Sequence, residues 1–570
     1  LAIFLMVIVN ILNIIPPKMI GDVIDLIRVG KLTGEALTQT VWLLIGLAVF
    51  IYVVTYIWIT RLFGSSILLE KVLRSRLLSH LTRMSPSFFH RNRTGDIMAL
   101  ATNDILAIGN TAGYGVLTLV NTVIGTSVVL VTMITLIDYK LMLAALLPLP
   151  FLAYAINRLG KTMRKHFLTS QQAFGFMNDQ ALESISGMRV LRSYVQEDKD
   201  VQAFDKVTQD VMNKNIKVAY INSLFQPVIS TIVGLSFSIG LGYGSYLVFN
   251  GQISLGQLVS FNIYLGLLIW PMISFGEFIN ILQRGSASAD RLETNFIQNA
   301  DVTDRDSLVD VKLPASIEIR DLAFSYPGSN NNSLEHISLR IEHGSTLGIV
   351  GRTGSGKTTL LKQFLRQYPV EDQKIIIDNV PIESIPLDRI KGWVGYVPQE
   401  HLLLSKTIKH NIALGKPEAS VKEIEHVIEM AFFTNDIAGM PNGLETIIGE
   451  NGVMLSGGQK QRISIARALL VDPEILMLDD ALSAVDAKTE SIILHNIRKT
   501  REGKTTLIAT HRLSAVRHAQ WIIVLDEGRI VEEGPHGTLM ALDGWYAKQY
   551  IRQQMEASLL NGKEDSEDEV

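Results

Sequence analysis

From Val218 to Gly276 the chain runs 59 residues without a charged side chain. An α-helix rises 1.5 Å per residue, so about 20 apolar residues cross the ~30 Å hydrocarbon core of a bilayer. The run is long enough to cross twice, and Asn250-Gly251-Gln252 supplies a turn between the crossings. Uncharged stretches also cover 1–17, 41–60, 105–137 and 141–157. Together these predict six spans, near 1–22, 40–61, 111–137, 140–158, 222–249 and 255–281. A buried core helix of a large soluble protein explains one such stretch. Six within the first 285 residues point to a membrane domain.

Lysine and arginine orient the spans, because cytoplasmic loops carry an excess of both. The loop at 61–104 has seven and the loop at 158–217 has ten, whereas the three opposite loops share Lys18, Arg28, Lys31 and Lys140. Both long loops and both ends of the six-span unit are therefore expected in the cytoplasm. Leu68, Val72, Leu73, Leu77 and Leu81 keep a helical spacing, so the loops read as continuations of the spans.

Near residue 300 the solvent changes. Residues 1–300 form the expected membrane domain, 301–316 a polar linker closed by Pro314, and 317–555 a second domain. There, apolar runs at 317–319, 346–350, 375–377, 475–478, 506–509 and 522–525 alternate with helical stretches, which predicts an α/β domain with a largely parallel sheet. Residues 556–570 read as an acidic, solvated tail. The fold class is thus an all-α six-helix membrane domain fused to an α/β domain. Charged residues are 19% of the chain and the net charge is −4, which offers no footprint for nucleic acid. The absence of cysteine excludes disulfides, thiolate metal sites and thiol catalysis. The chain opens at Leu1 inside an apolar run, so a natural N-terminal segment is expected ahead of it.

Gly351-Arg-Thr353-Gly354-Ser355-Gly356-Lys357-Thr358 fits the loop GxxxxGK[ST], between a strand at 346–350 and a helical stretch at Thr359–Gln367. Glycines let backbone N–H groups curl around phosphate oxygens, and the helix N-terminus adds partial positive charge. Lys357 is expected to reach the β- and γ-phosphates, and Thr358 to bind Mg²⁺. Ile475-Leu-Met-Leu478 followed by Asp479 is the acidic strand end that completes a Mg²⁺ site. An ordinary core strand ends in the same way, and the glycine-rich loop upstream is what makes the metal reading specific. ATP and Mg²⁺ are the expected ligands, with Thr359 included in the ATP site.

Between these motifs lies Leu455-Ser456-Gly457-Gly458-Gln459. This pentapeptide resembles the signature of the ATP-binding cassette (ABC) transporters. With six spans in front, all 570 residues resemble a half-transporter of the bacterial multidrug exporter type, in the plasma membrane. The resemblance implies further roles. Tyr326 would stack on adenine, and Gln399 would sense the γ-phosphate and join Thr358 and Asp479 at Mg²⁺. Ser483-Ala-Val-Asp486 would cross between two nucleotide sites, and His511 would contact the γ-phosphate. Gly449-Glu450-Asn451-Gly452 is similar to a segment that touches the intracellular loops. Residues 92–104 and 178–187 resemble short coupling helices that dock on the cassettes.

One departure stands out. After the Mg²⁺ aspartate the family usually has Glu as general base, and this chain has Asp480. The shorter side chain retracts the carboxylate by about 1.5 Å. A base must lie within about 2.6–3.2 Å of its proton, and such misplacement costs on the order of 100-fold in rate. ATP binding with slow hydrolysis is expected. An intact signature beside a weak base is similar to one subunit of Gram-positive heterodimeric exporters, whose partner is a Glu-bearing half-transporter. A small amphiphilic substrate is expected, with Tyr264, Trp270, Phe275 and Glu277 of the sixth span as candidate cavity residues and Pro271 as a kink. The alternatives are a homodimeric exporter of lipid or peptide, and an ATP-gated channel or sensor.

Overall fold

Long uncharged stretches propagate as long helices because no water competes for their backbone groups in a bilayer. The computed structural model describes residues 1–305, 307–314, 316–329, 331–449 and 453–567, without the side chains of 272, 273, 557 and 559–567. Its described residues contain six helical segments long and apolar enough to cross a membrane: Ala2–Arg28, Gly34–Leu81, Thr94–Leu136, Tyr139–Ser186, Glu197–Phe249 and Leu255–Ile297. The second has 48 residues, about 72 Å of helix and more than twice the hydrocarbon thickness. The polar parts of the long loops therefore continue the spans as helix, as their periodicity predicts.

The chain divides into two compact units, one holding Leu1–Ser79 and Gly95–Ile297, the other His80–Thr94 and the chain from Gln298 onward. The expectation of short separate helices at 92–104 and 178–187 needs correction. Residues 92–104 are mostly the start of the third span, and 178–186 are the end of the fourth. The short helices at the breaks are Pro86–Arg91 and Met188–Ser193. Pro86 sits in the first turn of one, where a missing N–H costs nothing.

Within the membrane unit, the first and sixth spans meet through small residues. A Cβ on Gly256 would lie 2.0 Å from the Gly21 carbonyl oxygen, so both positions demand glycine. Ser260 donates to the Pro17 carbonyl at 2.8 Å, and Tyr264 to the Ile14 carbonyl at 2.7 Å. Asp25 accepts from the Gly256 N–H at 2.8 Å. The first span breaks at 13–14, just before Pro16 and Pro17, which have no N–H to continue the ladder. The third span contains three π-helical turns, the last being Val120–Gly125.

The second unit is built on a six-stranded sheet ordered β10-β9-β3-β8-β7-β6. Here β3 is Thr346–Gly351, β6 Val394–Val397, β7 Ile475–Asp479, β8 Thr505–Ala509, β9 Trp521–Asp526 and β10 Arg529–Gly534. All neighbours are parallel except β9 and β10. Alternate residues of β7 feed two cores: Leu476 and Leu478 on one face, Ile475 and Met477 on the other. A strand buried on both faces reads as an unbroken apolar run, which explains why these strands were legible. A second sheet, ordered β2-β1-β4-β5, is antiparallel (β1 Ser316–Phe324, β2 Leu334–Glu342, β4 Ile375–Ile377, β5 Val380–Pro381). The expectation of one largely parallel sheet missed it.

The expected linker is not loose. Thr303, Asp304 and Val309 bond to Arg366, Leu387 and Ser384. The final helix, Trp545–Glu567, runs through most of the segment read as a solvated tail. It carries an Arg552–Glu556 pair one turn apart at 3.0 Å.

Candidate functional site

The phosphate loop joins β3 to the helix Lys357–Phe364. Gly351 and Gly356 have φ of 150° and 103°, and a Cβ on either would strike a backbone carbonyl within 3 Å. Only glycine closes this cradle. Lys357 Nζ lies inside it, donating to the carbonyls of Gly351 at 2.9 Å and Arg352 at 2.8 Å. Burial lowers the Lys357 pKa, while Asp480 and Asp479 push it back. Ser355 Oγ is buried without a partner among the described residues, an orphaned polar atom where a phosphate oxygen belongs. Thr353 and Gly354 are exposed at the loop tip.

Asp479 ends β7, 2% exposed. Its carboxylate accepts from Thr358 Oγ1 at 2.9 Å and from Tyr396 Oη at 3.0 Å. Burial raises its pKa, and these two hydrogen bonds oppose the rise. Tyr396 on β6 pairs across to Met477 on β7, so strand register delivers the phenol to the carboxylate. Among the described residues no cluster of three carboxylates or imidazoles could cage a metal. Mg²⁺ would thus be held by Thr358 and Asp479 together with phosphate oxygens, which suits that ion. Gln399, expected to join them, is exposed two residues beyond β6 and makes no hydrogen bond among the described residues.

Asp480 follows with φ of 50°, a region Asp tolerates better than most residues. Its N–H donates to the Ala509 carbonyl at 2.8 Å. His511 Nδ1 lies 2.9 Å from Asp480 Oδ1, on an approach that misses the direction of a hydrogen bond. The strand end thus brings Lys357, Asp479, Asp480 and His511 to one place. Tyr326 stands beside the same loop. Its hydroxyl is 3.0 Å from Thr359 Oγ1, and its ring meets Phe324 and Tyr368 edge-on at 5.2 Å. Thr359 is therefore engaged with Tyr326 and is 7% exposed. His90, from the helix Pro86–Arg91, is 3.0 Å from Tyr368 Oη. That helix reaches the aromatic cluster around Tyr326.

The signature is a helix cap. Ser456 caps the helix Gly457–Leu470 and forms a reciprocal box with Gln459, at 3.3 and 2.9 Å. Ser456 and Gly457 are exposed, and Leu455 is partly buried. No hydrogen bond or ion pair among the described residues links Leu455–Gln459 to the phosphate loop. Gly457 and Gly458 let the loop at Ser483–Asp486 approach: a Cβ on Gly458 would sit 2.9 Å from the Ala484 carbonyl oxygen. Asp486 caps the next helix, Ala487–Thr500, and its bonds to Thr489 hold its pKa down.

Sequence reasoning missed the residues that join these parts. Gln461 donates to Ser483 Oγ at 3.0 Å and accepts from the Ala484 N–H at 2.9 Å. Arg512 donates to the carbonyls of Ser483 and Val485 and pairs with buried Glu490 at 2.7 Å. Gln553 of the final helix holds both sides of the switch segment, the His511 carbonyl and the Leu513 N–H. His401 is partly buried near Asp480, with both ring nitrogens unpartnered among the described residues, and burial lowers its pKa. The only local signal was adjacency to recognised motifs: Gln461 follows the signature, Arg512 follows His511, and His401 follows Gln399. Glu450–Gly452, expected to touch the intracellular loops, lie outside the described residues. A cavity of about 420 Å³ elsewhere in this unit is lined by Arg498, Arg501 and Arg517 at the start of β3 and β8, and no phosphate-loop residue reaches it.

In the membrane unit the four candidate cavity residues separate. Trp270 lines a cavity. Tyr264 is buried in the core on the Ile14 carbonyl, and Phe275 and Glu277 are exposed on the sixth span away from that cavity.

Residues 1–272 match the family described as the ABC transporter transmembrane region, and residues 334–483 match that described as ABC transporter. The chain is 51% identical over 97% of its length, and 95% of the relative's, to the "Probable multidrug resistance ABC transporter ATP-binding/permease protein YheI" of Bacillus subtilis (strain 168). It is 40% identical to the "Multidrug resistance-like ATP-binding protein MdlA" of Escherichia coli (strain K12), over 100% and 96% of the two chains. A solved structure of a bacterial Atm1-family ABC exporter with ATP bound matches with a TM-score of 0.77, at 25% identity over 97% of both chains.

Proposed function

The chain belongs to the ABC transporters, as an exporter of the multidrug type that hydrolyses ATP with Mg²⁺ in step with transport, and from that premise we propose that it works as the slow half of a heterodimeric pump. The observation that carries this is Asp480 at the position of the general base, with an intact signature in the same chain. Mg²⁺ bound by Thr358 and Asp479 supplies charge neutralisation at the β- and γ-phosphates. Lys357 holds the phosphates from the cradle floor, Tyr326 takes the adenine, and Gln399 and His511 approach the γ-phosphate from the strand ends. Asp480, one methylene short, orients the attacking water poorly, so this site holds ATP longer than it cleaves it.

Ser456 and Gly457 are exposed and, among the described residues, make no hydrogen bond or ion pair with their own phosphate loop, which suits them to complete a site on a second half-transporter. Val190, Tyr194 and Val195, at and just beyond the helix Met188–Ser193, are 61, 72 and 82% exposed. Such unpartnered apolar side chains on a cytoplasmic break suit docking on the partner's cassette. Cassette and long loops then lie in the cytoplasm of a bacterial cell. Closure of two cassettes around ATP would drive twelve spans from inward- to outward-facing and release an amphiphile outside.

The test is ATP hydrolysis by this chain purified alone in lipid, with nucleotide binding measured in parallel. Binding without turnover, restored by co-expression with a Glu-bearing partner, is the expected result. Brisk turnover alone, abolished by Asp480→Asn, would make the chain a homodimer with a working base. Dye uptake into inverted vesicles separates a pump from an ATP-gated channel.

A further inference from the structure

Where β3 and β8 begin, a cavity of about 420 Å³ opens between the helix Ala487–Thr500, the segment after the switch histidine, and the final helix. Thr346 lines it and starts β3, whereas the phosphate loop begins at Gly351, the other end of that strand. At about 3.3 Å per residue, the strand separates the two sites by roughly 17 Å. The cavity is therefore distinct from the ATP site.

Its walls differ in polarity. Leu494, Ile497 and Ile508, all buried, supply an apolar side. Arg498, Arg517 and His518 line the same space and are exposed. Among the described residues neither arginine makes an ion pair, and Arg498 donates only to the Leu494 carbonyl, at 3.4 Å. Burial, and after it the charges of Arg498 and Arg517, lower the His518 pKa, so both guanidinium groups act on one imidazole. Arg501 adds a third guanidinium, 5% exposed. Its hydrogen bonds go to the Thr506 hydroxyl and the carbonyls of Pro473, Glu474 and Thr505, and none to a carboxylate.

The opposing charges are fewer. Of the two carboxylates on the wall, Glu490 is paired with Arg512, which leaves Glu502. Lys504 is shared between Asp472 at 2.8 Å and Glu474 at 3.7 Å. Even with the surplus acid of that trio counted against the three guanidinium groups, the excess is positive.

We propose that this cavity binds a small organic phosphate monoester, its dianionic head between Arg498 and Arg517 and its organic body against Leu494, Ile497 and Ile508. Two guanidinium forks can each take two oxygens of one phosphate, and a carboxylate has oxygens for only one of them. The volume falls in the range of about 300–1,000 Å³ that holds organic ligands, and a bare ion leaves most of it empty. Glu502 opposes the anion and limits its affinity. Glu490 and Ser514, hydrogen-bonded at 3.1 Å, also line the cavity, so an occupant touches residues of the switch network without touching ATP. The inference goes beyond the transport reading and does not need it, because it follows from the walls of the cassette alone.

The experiment uses the full chain in nanodiscs of zwitterionic lipid, with the phosphate loop filled by Mg²⁺ and a non-hydrolysable ATP analogue. Phenyl phosphate is the probe, titrated by calorimetry. Saturable binding with a Kd of about 1 mM or tighter is expected, with inorganic phosphate and phenol each weaker by about tenfold or more. Arg498→Gln and Arg517→Gln should each weaken it about tenfold, the worth of one charge-assisted hydrogen bond. Glu502→Gln should tighten it about threefold by removing a like charge. Unchanged affinity for the ATP analogue shows that each variant is folded. No binding at about 10 mM phenyl phosphate would overturn the proposal, and so would binding that neither arginine substitution weakens. Anionic lipid added to the discs should leave the affinity unchanged. Displacement of the probe by that lipid would assign the arginines to a membrane headgroup and overturn the proposal as well. No step needs turnover, so failure of the Asp480 reading leaves the result untouched.

Discussion

Asp480→Glu asks whether one methylene is the defect in this ATP site. Asp480 follows the end of β7, its N–H on the Ala509 carbonyl and its carboxylate 2.9 Å from His511 Nδ1. Glutamate would carry the carboxylate about 1.5 Å further, the distance by which a family-standard base outreaches the present one. If that shortfall costs on the order of 100-fold, its removal lowers the barrier by about 2.7 kcal/mol. The opposing term is backbone: φ is 50°, where Asp is better tolerated than Glu. Both residues carry a Cβ, however, and the difference between them is a fraction of the 1–3 kcal/mol that such conformations cost. The gain wins. Phosphate release by the chain alone in lipid should rise about 100-fold, with nucleotide affinity unchanged. Asp480→Asn should give no more than the wild-type rate. If wild type is already fast and Asp480→Glu leaves the rate level or lowers it, the retraction argument is refuted and Asp480 is a competent base.

Three further outcomes are expected. Arg512→Ala leaves the Glu490 carboxylate, 4% exposed, with the Ser514 hydroxyl at 3.1 Å but no counter-charge from Arg512, and should cost about 3 kcal/mol by thermal unfolding of the cassette, with partial rescue by Glu490→Gln. Gly458→Ala drives a Cβ to 2.9 Å from the Ala484 carbonyl, and should slow turnover at a site completed by this signature while ATP binding at Lys357 persists. Asp479 has a folded pKa raised by burial above its ordinary 3.8, so its contribution to nucleotide-free stability is present below that value and lost as pH rises through the raised one. Asp479→Asn should therefore raise the Tm of the nucleotide-free chain at neutral pH, flatten its dependence on pH, and abolish the stabilisation given by Mg²⁺ and ATP.

What could be read from the sequence was what repeats or what is confined to one loop. Charge-free stretches gave six spans because a bilayer imposes the same demand at every position. Buried strands such as β7 gave unbroken apolar runs, and the phosphate loop gave its glycines. The antiparallel sheet was harder. Residues of β2 alternate between buried and exposed, so its run is interrupted, and β5 is two residues long. Residues 92–104 and 178–187 read as short separate helices, whereas helical periodicity continues straight into the long helices that begin at Thr94 and end at Ser186. Tyr264 and Trp270 look equivalent as aromatics of one apolar helix. Only packing against the first span separates the one bonded to Ile14 from the one that lines a cavity.

The contacts around Ser483 bear on why a chain with a short base keeps an intact signature. Ser483 Oγ donates to the Asp480 carbonyl at 3.0 Å and accepts from Gln461 at 3.0 Å. Gln461 lies one turn beyond Ser456 in the helix that Ser456 caps. Arg512, next to His511, grips the Ser483 carbonyl from the other side at 2.8 Å. The base, the switch histidine and the signature helix are therefore held by one short chain of hydrogen bonds, and each link is part-buried. Coupling between sites requires contiguous contacts of this kind together with two alternative arrangements of them. On the heterodimer reading proposed above, a second arrangement of these links would let occupancy of the chain's own ATP site bias how Ser456 and Gly457 are presented to a partner. Loss of Gln461 hydrogen bonding should leave ATP bound at Lys357 and break that bias, which no change confined to the phosphate loop would do.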